Sequence, residues 1–234
     1  MFYRLSNMTR RGKIEEEFGT PFKFPGIYEP RQVINGLNEE TIPLITQDNT
    51  EYIQHGIWGI LPDGFREDWQ LFQNSLNTLN LGLETVNRQD WLRQSLLRRR
   101  CLILVNGYFT MYYYEGELYP YYVYYRDKRP FALAGIYSVL DDGFLTASVL
   151  VGPSNQMLRQ IQNLDAGMPL VLEPGDREHW LEDMDEEKVH DLTEHATKPD
   201  LVAHPIAREL YNRNICYDSM LEPVFYKNIP IPLF

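Results

Sequence analysis

Cysteine is scarce in this chain: Cys101 and Cys216 are the only two in 234 residues. Two are too few for a disulfide framework, and Cys101 opens an apolar run through Val105 that reads as a buried strand, so both thiols are expected to stay reduced. Long apolar stretches are missing as well. Nothing approaches the roughly 20 residues that cross a bilayer, and the first residues turn polar without the apolar stretch of a secretory signal. A soluble, cytoplasmic protein with no membrane partner is expected. Positive charge is short too, with 22 Lys and Arg against 33 Asp and Glu and a net charge of -11. That balance argues against gripping a polyanion over the whole surface, which takes many cationic neutralisations. A glycine-rich phosphate loop, a G-x-S-x-G elbow and a C-x-x-C pair are all absent, and no cofactor is expected.

The negative charge is unevenly spread. Between Glu173 and His195 stand ten acids against Arg177 and Lys188, a local net of -8, which leaves only -3 for the rest of the chain. Such a stretch reads as a solvated helix face or loop, with repulsion of DNA from one side as the alternative. It contains His190, Glu194 and His195, but the two histidines are five residues apart, about 140° round a helix rather than on one face. No metal is therefore expected. His55 and His204 are isolated from any nucleophile. The run Arg98, Arg99, Arg100 is the local cationic cluster; at a helix end it complements the dipole, and it can also contact phosphate.

Periodicity suggests a single α+β domain over residues 1–234. A short helix is expected from Arg10 to Phe18, stopped at Gly19, and loops with short strands from Pro21 to Pro43. Strands are expected at Ile42–Thr46, Tyr52–Ile60, Phe131–Ile136 and Phe144–Val151, and helices at Arg66–Gln73, Asp90–Arg99, Ser154–Gln162 and Asp176–Asp183. Leu102–Tyr114 is apolar and aromatic, and Tyr108–Tyr114 and Leu118–Tyr125 flank a glycine-containing turn as a hairpin. Its tyrosines suit either cross-strand packing or base stacking. The architecture expected is an antiparallel, barrel-like sheet core with peripheral helices.

A series of segments in order along nearly the whole chain carries a resemblance: Met1-Phe2-Tyr3-Arg4, Trp58-Gly59-Ile60-Leu61-Pro62, Asn80-Leu81-Gly82-Leu83-Glu84-Thr85 and Arg100-Cys101-Leu102-Ile103. Gly107-Tyr108-Phe109, Ala134-Gly135-Ile136 and Met168-Pro169-Leu170-Val171-Leu172 follow. Together they resemble the SOS-response-associated peptidase (SRAP) family of abasic-site-sensing DNA proteins, and the resemblance implies that family's fold. In the family, removal of the initiator methionine exposes a cysteine whose amine and thiol capture the aldehyde of an abasic site in single-stranded DNA. Here that position is Phe2, which has no thiol and whose bulk keeps Met1 in place. The position of the family's glutamate is Thr110, that of its histidine is Asp165, and that of an arginine is Gly82; two family tryptophans fall on Met111 and Gly64.

The resemblance thus implies a member with no intact catalytic residue. It leaves Arg4, Asn80, Trp58, Pro62, Asn106 and Arg100 as candidate DNA contacts, and Gly59, Glu84, Thr85, Gly107, Met168 and Pro169 as the structural motif, with Glu84 and Thr85 expected in a buried hydrogen-bond network. Single-stranded or abasic DNA, held without a covalent bond, is the first partner expected. A protein partner for the acidic and aromatic surface is the alternative. Residual lyase or peptidase activity, from Asp165 with Glu84 or from the α-amine of Met1, is the third.

Overall fold

The computed structural model describes residues 3–194, 199–212 and 216–231. The expectations for Met1, Phe2 and His195 fall outside these, as does the side chain of Glu194. In chain order come β1 (Arg4–Asn7), α1 (Arg11–Phe18), β2 (Arg31–Asn35), a 3-10 turn (Gly36–Asn38), β3 (Thr41–Thr46), β4 (Asn49–Trp58), α2 (Trp69–Ser75), β5 (Asn80–Gly82), α3 (Leu83–Arg88) and α4 (Asp90–Arg98). Then follow β6 (Arg100–Val105), β7 (Gly107–Tyr114), β8 (Glu117–Tyr125), β9 (Phe131–Val139), β10 (Leu145–Pro153), α5 (Gln156–Ile161), β11 (Gly167–Pro169) and β12 (Val171–Leu172). Last come α6 (Pro174–Leu181), α7 (Glu186–Glu194), β13 (Leu201–Pro205) and α8 (Glu209–Asn212).

The strands form two sheets. The smaller has the order β13-β8-β7-β1-β2 and is antiparallel throughout. In the larger, the pairings β10-β4-β3-β6-β9 close on themselves because β9 also pairs with β10, giving a ring. The expected antiparallel core is mixed: β10 runs parallel to β4 and to β5.

The apolar stretch from Cys101 shows why the ring sits centrally. Cys101, Ile103 and Val105 face a core shared with Leu5, Tyr108, Tyr121 and Val123 of the smaller sheet. Leu102 and Leu104 face the opposite way, under Val86, Leu92, Leu96, Trp180 and Val189 of the helices. A strand covered on both faces reads as an unbroken apolar run. The run ends at Asn106, where the chain leaves the ring for the smaller sheet, so Leu102–Tyr114 is two strands in different sheets. The aromatic hairpin alternates likewise: Tyr108, Tyr121 and Tyr125 face the ring, while Phe109 and Tyr122 lie under the C-terminal segment with Ile206, Leu210 and Met220. Most of its rings are therefore packed rather than open for base stacking.

Helix starts differ from the expected ones where a capping residue intervenes. α2 begins after Asp68, whose Oδ1 accepts from Leu71 N at 2.9 Å, and α5 after Asn155, which accepts from Leu158 N at 2.9 Å. α6 opens at Pro174, a residue suited to the first helical position. Two motif glycines answer to geometry. Gly59 has φ 112° beside Gln73, and a Cβ on Gly107 would lie 2.3 Å from the Tyr122 ring.

Both isolated histidines serve the fold. His55 stacks near Phe22 at 5.6 Å, and its pKa is lowered by burial and by the Arg31 charge. His204 Nε2 lies 2.7 Å from the Leu221 carbonyl and its pKa is lowered mainly by burial, with Lys128 adding to it. A folded pKa below the unfolded value gives stability that is complete above about 6.5, the ordinary histidine value, and is lost as pH falls. The urea midpoint is therefore expected to fall between pH 7.5 and 5.5, and to fall less in His55→Phe/His204→Gln. Equal drops in the two proteins would contradict this.

Candidate functional site

β1 and β7 are paired with Leu5 opposite Tyr108 and Ser6 opposite Gly107. Continuing that register sets Tyr3 across from Thr110. Because side chains alternate along a strand, Tyr3, Leu5, Tyr108 and Thr110 face the ring, whereas Arg4 faces outward. The Arg4 guanidinium lies 3.9 Å over the Tyr211 ring, and burial pushes the Tyr211 hydroxyl up to about 12 despite that neighbouring charge.

Thr110 meets the residue after α5. Its Oγ1 donates to Gln162 Oε1 at 2.7 Å, and both side chains are nearly closed to solvent. Gln162 Nε2 reaches Ser154 Oγ at 3.1 Å, Asp165 O at 2.9 Å and Gly167 O at 2.6 Å. Asn163 exchanges two 2.8 Å hydrogen bonds with the Tyr113 backbone. The loop of residues 162–167 is thereby fastened to β7 of the smaller sheet. On its other side it runs into β11, whose Met168 and Pro169 pair with Gly152 and Val151 of β10. β5 flanks the same strand, with Asn80 opposite Val149 and Gly82 opposite Val151. The fold thus gathers Tyr3, Thr110, Asp165 and the Asn80–Gly82 strand around the junction of the two sheets.

The chemistry available there is limited. Burial alone would raise the Asp165 carboxyl, but hydrogen bonds and charge around it, the Gly167 and Ala166 amides included, hold it below its ordinary value. It is an ionised, weakly basic group with no proton to give near neutrality. Tyr3 moves the other way, raised by burial and by Asp165. Thr110 has no ionisable group, and its hydroxyl is engaged. Thr110→Val should cost about 1–3 kcal/mol in urea unfolding, because it strands the buried Gln162 oxygen. Thr110→Ser should cost less, and equal losses would show that the hydrogen bond is not what holds the loop.

The remaining candidates are scattered. Trp58 is fully buried and donates to Leu79 O at 2.8 Å, so its ring has no surface for a base. Arg100 is also fully buried, its guanidinium held by the carbonyls of Leu96, Leu97, Trp180 and Glu182, so it is no phosphate contact. Pro62 is half-buried in the loop that follows β4. Asn106 lies at the far end of β1, its Oδ1 accepting from Met8 N at 2.8 Å. Glu84 is exposed and ion-paired with Arg88 one helical turn on, and Thr85 is half-buried beside it. The expected buried network does not form, because α3 turns Val86 inward and leaves Glu84 in solvent. Among the described residues, no group of three or more His, Cys, Asp or Glu is placed to hold a metal ion, and no helix is long and apolar enough to cross a membrane.

The acidic stretch and the arginine run answer each other. Arg98 pairs with Asp183 at 3.0 Å and Arg93 with Glu186 at 2.6 Å, while Arg100 binds carbonyls at the end of α6. Gln162 and Tyr211, which hold the loop and Arg4, have no signal in the sequence. A second cationic cluster, Arg126, Lys128 and Arg129, is visible there as three cations in four residues.

Comparison with known proteins follows the same outline. Residues 1–213 match the sequence profile described as SOS response associated peptidase (SRAP). Over 155 residues the chain is 29% identical to abasic site processing protein YMR114C of Saccharomyces cerevisiae, which covers 66% of this chain. It spans only 40% of the yeast protein's length. A crystal structure from Bacteroides thetaiotaomicron superposes with a TM-score of 0.83 at 21% identity, covering 95% of this chain and 100% of that one. Another from Bordetella bronchiseptica gives 0.71 at 16% identity, covering 88% and 99%. At these identities the structures establish the shared fold alone.

Proposed function

The chain belongs to the SOS response associated peptidase (SRAP) family, and from that premise we propose that it is a catalytically degenerate member that binds single-stranded or abasic DNA without cross-linking to it. The observation that carries the reading is the Thr110–Gln162 hydrogen bond. Where the resemblance calls for a proton-moving glutamate, a neutral hydroxyl is locked into the loop that carries Asp165. Phe2 supplies no thiol. The other two thiols are no substitute: burial pushes Cys101 up, and Cys216, also raised by burial, lies beside Gln32 of β2. A thiol held protonated is a poor nucleophile. The DNA part of the reading rests on kinship with the yeast protein, named for abasic site processing.

The test is a denaturing gel of the protein with single-stranded DNA bearing one abasic site, beside native binding over a salt series. The expected result is no covalent band, with binding that weakens steeply between 50 and 200 mM salt, as phosphate contacts require. A covalent band overturns the degeneracy, and no binding at low salt overturns the DNA reading.

One observation favours a protein partner instead: Arg93 and Arg98 are already neutralised by the protein's own acids. Co-purification with a defined protein and no salt-dependent DNA binding is the outcome that reading expects. The pairing of Asp165 with Glu84 in the residual-enzyme reading loses support, since Glu84 is exposed and ion-paired with Arg88.

A further inference from the structure

Two segments far apart in sequence meet at the end of β1 opposite Tyr3. One is the exit of β1 into α1, and the other is the turn between β8 and β9. They border an open cup of about 710 Å³ whose walls include Arg10, Lys13, Asn106, Lys128 and Arg129. Glu16, Glu17 and Asp127 also line it, so the charges must be paired off first. Glu17 is answered by Arg177 at 2.9 Å, and Arg129 by Glu173 at 3.2 Å and Asp127 at 3.7 Å. Arg10, Lys13 and Lys128 make no ion pair among the described residues, and against them stand Glu16 and the one negative charge left over where Glu173 and Asp127 share Arg129.

The start of α1, which follows the wall residue Arg10, adds partial positive charge beside the cup. Arg10 occupies the N-cap of α1 without a side-chain cap, and the first turn holds no acidic residue. The amides that open a helix lack internal acceptors and carry partial positive charge. Lys128 is held at φ 60°, a left-handed conformation that glycine adopts more easily. The turn would form better without a side chain, and the ammonium is what a lysine contributes there.

We propose that this cup is an anion site that takes a phosphate group, separate from the Thr110–Gln162–Asp165 junction. Three cations with no ion pair among the described residues, beside an uncapped helix start, match the negative charge of a phosphate. The group can belong to a small phosphate or to the backbone of a single-stranded nucleic acid. The chemistry at the cup is the same for both.

The test uses the full chain with two probes, inorganic pyrophosphate and a twelve-nucleotide single-stranded DNA without an abasic site, by titration calorimetry at low salt. The variant is Lys13→Gln/Lys128→Gly, in which the glycine removes charge while easing the turn, so unfolding is not the route to lost binding. Arg98→Gln is the control, a cation already paired elsewhere. At least one probe is expected to bind and to weaken tenfold or more in the double variant, with the control unchanged and the melting temperature of Lys128→Gly held or raised. Pyrophosphate binding with that sensitivity assigns the cup to small phosphates, and sensitivity with the oligonucleotide alone assigns it to nucleic-acid backbone. Binding by neither probe, or equal binding by wild type and double variant, overturns the site. Pyrophosphate binding alongside no oligonucleotide binding would leave the cup standing while removing only the part of the DNA reading that concerns undamaged single strands.

Discussion

Arg100→Ala is expected to destabilise the protein by about 3–5 kcal/mol, since it strands several buried carbonyls at about 1–3 kcal/mol each, less what water recovers, whereas Arg98→Ala, two residues earlier, should cost less than about 1 kcal/mol as an exposed pair. The difference comes from what each guanidinium touches. Arg100 Nη1 donates to Leu96 O at 2.9 Å and Leu97 O at 2.8 Å, carbonyls in the last turn of α4. Its Nε donates to Trp180 O at 2.8 Å and its Nη2 to Glu182 O, at the end of α6. Helix C-termini leave carbonyls without internal partners and carry partial negative charge. One buried cation therefore caps two helices and fixes both against β6, where Trp180 Nε1 also donates to Cys101 O at 3.1 Å. Alanine would strand these carbonyls and leave a void. Arg100→Lys should recover little, because one ammonium cannot span four acceptors set by a planar fork. Urea unfolding of the three variants checks this. In a chain of this length the Arg100→Ala loss corresponds to a melting shift of roughly 10 °C, and a loss under 1 kcal/mol would mean that water satisfies the carbonyls instead.

The same residue shows where sequence reading stops. Arg98, Arg99 and Arg100 look alike along the chain, yet α4 ends at Arg98 and β6 begins at Arg100. The change from helical to strand periodicity sends one side chain to solvent and another into the core. The aromatic hairpin, the helix from Arg11 and the buried strand from Cys101 were legible because local period and turn chemistry decide them. The loop around Gln162 was not, since its partners Thr110 and Gly167 are set by how two sheets meet. Short strands such as β5, β11 and β12 were missed for a related reason. With two or three residues they carry no periodicity, and their pairing with longer strands alone defines them. The cationic cup was half legible: both basic segments can be read from the chain, but their meeting depends on the antiparallel return of β7 and β8.

On the proposed reading, placing a thiol at the second position is expected to give a covalent DNA product where the natural sequence gives none. In Phe2→Cys the smaller residue permits removal of Met1, and the new terminus carries amine and thiol on one carbon skeleton, the pair that closes a ring on an aldehyde. Tyr3, the next residue, interacts electrostatically with Asp165 and in continued register faces Thr110. Adding Asp165→His should speed capture by about 10²-fold or more, the lower reach of a positioned acid–base group. The change is tolerable because the histidine can accept from Gly167 N where Asp165 Oδ1 now does at 3.0 Å. Thr110→Glu is the harder reversion. A carboxylate would face Gln162 Oε1, and turning that amide round would give up its contacts with Ser154, Asp165 and Gly167. The triple variant should therefore be less stable than the double by about 1–3 kcal/mol unless Gln162 is changed with it. Single-turnover assays on abasic single-stranded DNA, read on denaturing gels, separate these steps. Phe2→Cys with no product would mean that DNA does not reach the terminus. Product at equal rates with and without Asp165→His would remove residue 165 from the proton path. If both substitutions act as expected, the lost chemistry lies in side chains at a junction whose backbone still serves it.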